Sequence, residues 1–356
     1  MTESASAGLG TPDAGTDDGR RAIMQWVFGA RATETVALAV RLGLPDAIGD
    51  GTARAEDLGR RHGFPPRQMT RLLRALASLG LCTEPSPGTF ALAPAGALLR
   101  KDHPDSLYDF ARFHTAPQTL QPWTRLESSL RSGRTAFEEH FGVPLYQYLA
   151  GEPELSAVFN AAMSQETHRT AQTLPGAYDF GRFRTVMDVG GGDGTLLAAI
   201  LGHHPALEGV LFETVEGAAQ AADTFKTAGL DGRATVATGD FLASLPQGAD
   251  LFLIKSVLHN WDDEHATTIL RNCRAAMPAH GRVLIVEVVL PEKAAPDDAA
   301  ELDPYLKDLQ MQVLVGGRER TRTDFDQLCT AAGLTVTDVV PLPPHIGFSL
   351  MEAAPN

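Results

Sequence analysis

Hydrophobic and polar positions along the chain fall into two textures. From about Gln25 to Arg100, apolar residues recur at helical spacing. ETVALAVRLGLPDAI carries them at three- and four-residue intervals until Gly43 and Pro45 stop the pattern. ARAEDLGRRHGFPPRQMTRLLRALASLGL predicts two helices separated by Gly63, Pro65 and Pro66. LCTEPSPGTFAL is β-like about a Pro-Gly turn and predicts a hairpin. Helix, helix and hairpin in that order predict a winged helix. Residues from about Asp105 to Asp179 read as a helical connector, and Pro175 to Arg184 as a short linker. Beyond it, the apolar runs TVMDV, GVLFE, ATVATGD, DLFLIK and RVLIVEV are β-branched and alternate with helical patterns. Such runs predict an α/β domain with a mainly parallel sheet buried on both faces. TVTDVVPL and IGFSLMEA, joined by a Pro-rich turn, predict an antiparallel pair closing that sheet. The expected divisions are a tail at 1–20, a winged-helix-like domain at 21–104, a connector at 105–180 and an α/β domain at 181–356.

Composition sharpens this picture in three places. A chain of 356 residues, 44% of them apolar, holds core enough for one small and one large domain. The opening MTESASAGLGTPDAGTDDGR is polar and acidic with no apolar segment, which predicts a disordered tail rather than a signal peptide. No run approaches the roughly 18 apolar residues that span a bilayer, so no membrane partner and a cytoplasmic location are expected. Cys82, Cys273 and Cys329 lie far apart without a Cys-x-x-Cys pair, against a disulfide scaffold or zinc site. Arg67, Arg71 and Arg74 share one helical face, which suits either DNA or a solvated face beside dimer contacts. A net charge of −14 argues against nucleic acid as the main partner.

The candidate chemistry lies where strands end. Asp188-Val-Gly-Gly-Gly-Asp-Gly-Thr195 closes the first strand of the α/β domain, and a glycine loop there lets a ligand approach the backbone and a helix N-terminus. A dinucleotide fingerprint starting at Gly190 fails at Thr195, and one starting at Gly191 fails at Asp193. Asp188 would repel a pyrophosphate but attract the ammonium or sulfonium of S-adenosylmethionine. A purely structural turn is the plainer alternative. Glu213 ends the second strand, where an acid can accept from ribose hydroxyls, although a helix-start glutamate reads the same way. Asp240 and Phe241 end the third and suit an adenine amino group and ring. Lys255 and His259 follow the fourth strand, and Glu287 ends the fifth. Ligands in such folds bind at the carboxyl ends of the strands, so these residues converge on one site. His259 with Glu287 suits proton abstraction, since a carboxylate orients an imidazole and stabilises its cation. A helix-capping histidine is the alternative, and Asp262 or Asp263 is a good N-cap. Metal ligation by His259, Asp262, Asp263 and His265 matches no defined spacing, so no metal is expected.

VMDVGGGDGTLLAAIL, DLFLIKSVLHNWDDEH, GRVLIVEVVLPE and VLVGGRERT together resemble the caffeic acid and isoflavone O-methyltransferases of plants and their bacterial relatives that act on polyketides and other aromatics. The resemblance spans from about Gln25 to Met351. It implies a class I methyltransferase, a doubly wound seven-stranded sheet with an N-terminal winged-helix-like dimerisation domain, acting as a homodimer without metal. It implies His259 as base, flanked by Glu287 and Glu319, with S-adenosylmethionine as cofactor and S-adenosylhomocysteine as product. Gly190, Gly192, Glu213, Asp240, Phe241 and Lys255 match the cofactor positions. Phe159 and Met163 of FNAAM match the connector segment lining the acceptor pocket, and Met311 a second pocket segment. Asn260 stands where plant members commonly have aspartate, and the asparagine found there in some bacterial relatives acting on polycyclic ketides implies a contact to the acceptor. LFETVEGAA lacks the proline that commonly follows the ribose-binding acid. The implied reaction is methylation of a phenolic hydroxyl on a small secondary metabolite. Two alternatives are a relative that retains the cofactor for hydroxylation or pericyclic chemistry, and a cofactor-sensing winged-helix regulator.

Overall fold

The computed structural model describes residues 14–294 and 303–356. They form two units, one ending at Ala111 and one running from Arg112 to Asn356. Residues 1–13 of the expected tail lie outside the described residues. The rest of that stretch is helical, because the first helix, Ala14–Val27, begins well ahead of position 21. On its polar side Asp18 pairs with Arg21 at 3.6 Å in solvent. Its last turns present Ile23, Trp26 and Val27 exposed on the single chain.

In the first unit, helices Gly29–Arg41, Leu44–Ile48, Ala55–His62 and Pro66–Ser78 pack with three short strands, β1 (Thr52–Arg54), β2 (Cys82–Ser86) and β3 (Thr89–Leu92). The strand order is β1-β3-β2, antiparallel throughout. β1 has three residues, too few to show alternation in sequence, and it completes the winged-helix-like sheet. Leu44, Met69, Leu73 and Phe90 fill the core. Arg74 donates twice to the Glu84 carboxylate at 2.9 Å, and Arg71 donates to Gln68 at 3.1 Å. Two of the three arginines on that face are therefore engaged inside the unit.

The second unit opens with short helices and then one long helix, Pro153–Ala177. This helix runs through Pro175, where a linker was expected to start. A proline in the final turn removes only one intrahelical hydrogen bond and leaves little helix beyond it to kink. Nine strands follow: β4 (Thr185–Val189), β5 (Glu208–Glu213), β6 (Ala234–Thr238), β7 (Leu251–Lys255), β8 (Arg282–Glu287), β9 (Val289–Leu290), β10 (Arg320–Thr321), β11 (Leu334–Pro341) and β12 (Ser349–Pro355). Seven of them form one sheet in the order β11-β12-β8-β7-β4-β5-β6. β4 to β8 of that sheet are parallel, and β11 and β12 close it as the expected antiparallel pair. Alternate residues of β4 enter different cores: Met187 and Val189 join one apolar cluster, Val186 the other. Both faces are therefore covered, and polar groups gather at the carboxyl ends. β9 and β10 pair in parallel over two residues, placing the GGRERT segment beside the end of β8. Among the described residues, no helix is long and apolar enough to cross a membrane.

Helix Thr195–His203 buries Leu197 completely against the sheet, where it approaches Gly209 of β5. Leu197→Ala should lower unfolding free energy by about 2–5 kcal/mol, the usual cost of such a cavity. Chemical denaturation measures it, and a loss well under 1 kcal/mol would contradict this packing.

Candidate active site

The centre of the site is the turn after β7. The chain leaves Lys255, takes a left-handed conformation at Ser256 (φ 54°) and enters a single helical turn, Leu258–Asn260. A non-glycine residue there stores roughly 1–3 kcal/mol of strain, so something must hold the turn. Glu287, wholly buried at the end of β8, does so: its Oε1 accepts from the backbone N–H groups of Val257 at 3.0 Å, Leu258 at 2.9 Å and His259 at 3.4 Å. From the other side, the buried Arg320 guanidinium donates at 2.8 Å to the carbonyls of both Leu258 and Trp261 and pairs with Asp263. Gly317 passes so close that a Cβ would lie 2.0 Å from the His259 carbonyl oxygen. Asp262, not Asp263, caps the following helix, accepting from the His265 N–H at 2.9 Å. His259 itself is buried in the turn and is not the cap.

The His259 side chain reaches Glu319, with Nδ1 2.9 Å from Oε1. Glu287 Oε2 is farther, at 3.6 Å. The two carboxylates thus divide the work: Glu287 builds the turn and Glu319 orients the ring. A carboxylate only accepts, so Nδ1 carries the proton and Nε2 is left as the acceptor. Burial opposes a charged imidazole, but Glu287 and Glu319 outweigh it and raise His259 above the ordinary imidazole value. Burial pushes Glu287 up. Glu319, despite its burial, is held low by His259 and Lys307.

At the end of β4 the environment is acidic. Asp188 is buried, its Oδ2 has no hydrogen-bond partner, and burial with the nearby Glu213 raises its pKa to about 7. An unpartnered buried carboxylate is costly, and a bound cation would relieve it. Gly190 (φ 74°) and Gly192 (φ 59°) take backbone conformations that side chains rarely adopt. A Cβ on Gly191 would fall 2.3 Å from Asp188 Oδ2. Glu213 accepts from Gly192 N–H at 3.3 Å and from Thr214 N–H. Asp240 accepts from Leu242 N–H at 2.8 Å, and Phe241 meets Trp261 edge-on at 6.0 Å. A cationic, hydroxyl-bearing cofactor such as S-adenosylmethionine fits this end: acid at Asp188, acceptors at Glu213 and Asp240, and an aromatic at Phe241.

The other end is lined by two helices. On Pro153–Ala177, Met163 follows Phe159 by four residues, and Glu166 and Thr167 follow Met163 by three and four, so they share a stripe. Phe159 packs edge-on against Phe113 at 5.1 Å. On helix Pro304–Leu314, Met311 is buried one turn after Lys307. Lys307 Nζ lies 3.8 Å from Glu166 Oε1 and 3.7 Å from Glu319 Oε1. Lys255 donates to Thr167 Oγ1 at 3.0 Å, so it faces this helix as well as the strand ends. Asn260 donates to the Ser256 carbonyl at 3.2 Å, bracing the strained residue.

Glu166, Lys307 and Arg320 were not singled out in the sequence. Charged residues in amphipathic helices normally read as solvated, and the available signal was spacing: Glu166 continues the Phe159–Met163 stripe, and Lys307 precedes Met311 by one turn. The residues weighed earlier as metal ligands do not converge, since Asp262 caps a helix and Asp263 pairs with Arg318 and Arg320. His259, Glu287 and Glu319 do offer atoms within 4.8 Å of one another. The Oε1 atoms of the two carboxylates accept from the turn and from His259, whereas Glu287 Oε2 and Glu319 Oε2 are buried without a hydrogen-bond partner.

Residues 123–335 match the O-methyltransferase domain, and residues 24–102 match the O-methyltransferase dimerisation domain. An O-demethylpuromycin-O-methyltransferase of Streptomyces alboniger is 44% identical over 335 residues, covering 94% of this chain and 88% of its own length. The crystal structure of LaPhzM superposes with a TM-score of 0.88 at 38% identity, over 95% of this chain and 99% of that one. NcsB1 from neocarzinostatin biosynthesis, solved with S-adenosylmethionine and 2-hydroxy-5-methyl naphthoic acid, superposes with a TM-score of 0.78 at 31% identity, over 91% and 96%. With both family regions in place on a class I sheet, the chain belongs to the S-adenosylmethionine-dependent O-methyltransferases of secondary metabolism.

Proposed function

We propose that this O-methyltransferase methylates a phenolic hydroxyl of a small aromatic metabolite, with His259 as general base. The observation that carries the reading is the 2.9 Å contact from His259 Nδ1 to Glu319, which leaves Nε2 as a proton acceptor. Bound S-adenosylmethionine supplies an electrophilic methyl group on a sulfonium centre. Asp188, Gly190, Gly192, Glu213, Asp240, Phe241 and Lys255 hold it, the acids matching its positive charge and hydroxyls. Phe159, Met163 and Met311 give an apolar wall to an aromatic ring, and Asn260 offers its amide oxygen to the acceptor. The hydroxyl of the acceptor is deprotonated at His259 Nε2 as its oxygen becomes nucleophilic. Glu319 and Glu287 stabilise the imidazolium that results, and burial of all three excludes water. The hydroxylated aromatic seen with NcsB1 supports the acceptor class. Residues 21–104 serve as the dimerisation domain, with the exposed apolar turns near Trp26 available to a second copy. Residues 105–180 line the acceptor pocket and 181–356 hold the cofactor.

His259→Ala should keep cofactor affinity and lower the single-turnover methyl-transfer rate by about 10²–10⁴. The neutral imidazole is the active form, so wild-type rate should rise with pH, with its midpoint above the ordinary imidazole range. The variant should lose that limb. A fast variant with a lowered melting temperature would show a structural histidine instead. Glu213→Ala should weaken S-adenosylhomocysteine binding in calorimetry by about 1.5–3 kcal/mol, and wild-type affinity would remove Glu213 from the cofactor site.

A further inference from the structure

Lys307 touches the catalytic group only through a shared oxygen. Its Nζ lies 3.7 Å from Glu319 Oε1, the same atom that receives His259 Nδ1 at 2.9 Å. Two cations on one carboxylate oxygen repel each other at close range, and in a buried site that repulsion is poorly screened. With Lys307 permanently charged, the second position on Glu319 favours a neutral imidazole. Lys307 is in turn held by Glu166 at 3.8 Å.

Resting on the reading of His259 as base, we propose that Lys307 is a positioning residue that sets the working pH of the enzyme, sharing Glu319 Oε1 with His259 so that the imidazole stays neutral and able to accept a proton. Glu166 opposes it by drawing the ammonium the other way. The remaining charged and titratable groups facing Lys307 are Lys255 from β7, Glu287 from β8 and His114 from helix Tyr108–His114. Burial disfavours the ammonium, but Glu166, Glu319 and Glu287 outweigh it, so Lys307 keeps its proton throughout the neutral range. Glu166, though buried, is held ionised, chiefly by Lys307 and Lys255. Lys307 therefore acts by charge and place and not by exchanging a proton itself.

The test is the pH dependence of single-turnover methyl transfer to a phenolic acceptor in the full-length enzyme, with cofactor saturating. Lys307→Met should move the rising limb to higher pH by about one unit, the scale expected for a charge at this range. On the limb the rate then falls about tenfold, while at the alkaline plateau it returns toward wild type. Lys307→Arg, which keeps the charge, should bring the limb back. Glu166→Gln should move it the opposite way, to lower pH, so the idea stays testable if Lys307→Met does not fold. A Lys307→Met limb superimposed on wild type, with the loss confined to acceptor KM, would make Lys307 an acceptor contact and overturn the proposal. So would a Glu166→Gln limb displaced upward. If His259→Ala retains the wild-type limb, the base reading itself fails and this proposal with it. If His259→Ala loses the limb and Lys307→Met does not shift it, only the role of Lys307 fails.

Discussion

The site depends on one buried carboxylate. Glu287 accepts three successive backbone N–H groups through a single oxygen. A buried ion is tolerated only when it is hydrogen-bonded or paired, and here the hydrogen bonds come from the start of a helical turn. The exchange works both ways: the turn solvates the carboxylate, and the carboxylate keeps Ser256 in its left-handed conformation. Arg320 completes the clamp by holding carbonyls on either side of His259. The backbone on both sides of His259 in the chain is thus fixed, and its side chain need only find Glu319.

Charge divides the site into two ends with different tasks. Around Asp188, Glu213 and Asp240 the carboxylates outnumber the cations, and Asp188 is pushed up to about 7, mainly by its burial. Such an end stabilises a positively charged ligand and is stabilised by it. Around His259 the charges interleave: Glu166, Lys307, Glu319 and His259 run in sequence through contacts of 3.8, 3.7 and 2.9 Å. With His259 as the proposed base, that balance would decide whether the imidazole can take a proton near neutral pH.

Much of this was legible in the chain. β-branched runs located all the central strands, and the polar residue ending each of them lies at the carboxyl edge of the sheet. The antiparallel closure by β11 and β12 followed from the short Pro-rich turn between them. Three features escaped for physical reasons. Pro175 reads as a breaker, yet a helix tolerates it in its last turn. β9 and β10 are two residues each, below any periodicity, so nothing local in the chain brought Glu319 to His259; only the likeness of GGRERT to a known family did. Glu166 and Lys307 look like solvated charges until helices distant in sequence face each other. Glu287 was expected beside His259, but its larger task, capping the turn, depends on a register between β7 and β8 that strand patterns do not reveal.

Proton abstraction as proposed requires His259 to be held as a neutral Nδ1–H imidazole with a bare Nε2. Nitrogen NMR of histidine-labelled enzyme reads this directly, with the resonance assigned by its absence in His259→Gln. In mildly alkaline buffer Nδ1 should be protonated and Nε2 unprotonated, converting to the imidazolium at a pH above the ordinary imidazole value. An Nε2–H tautomer, or an imidazolium persisting through the pH range where methyl transfer is fastest, would contradict it.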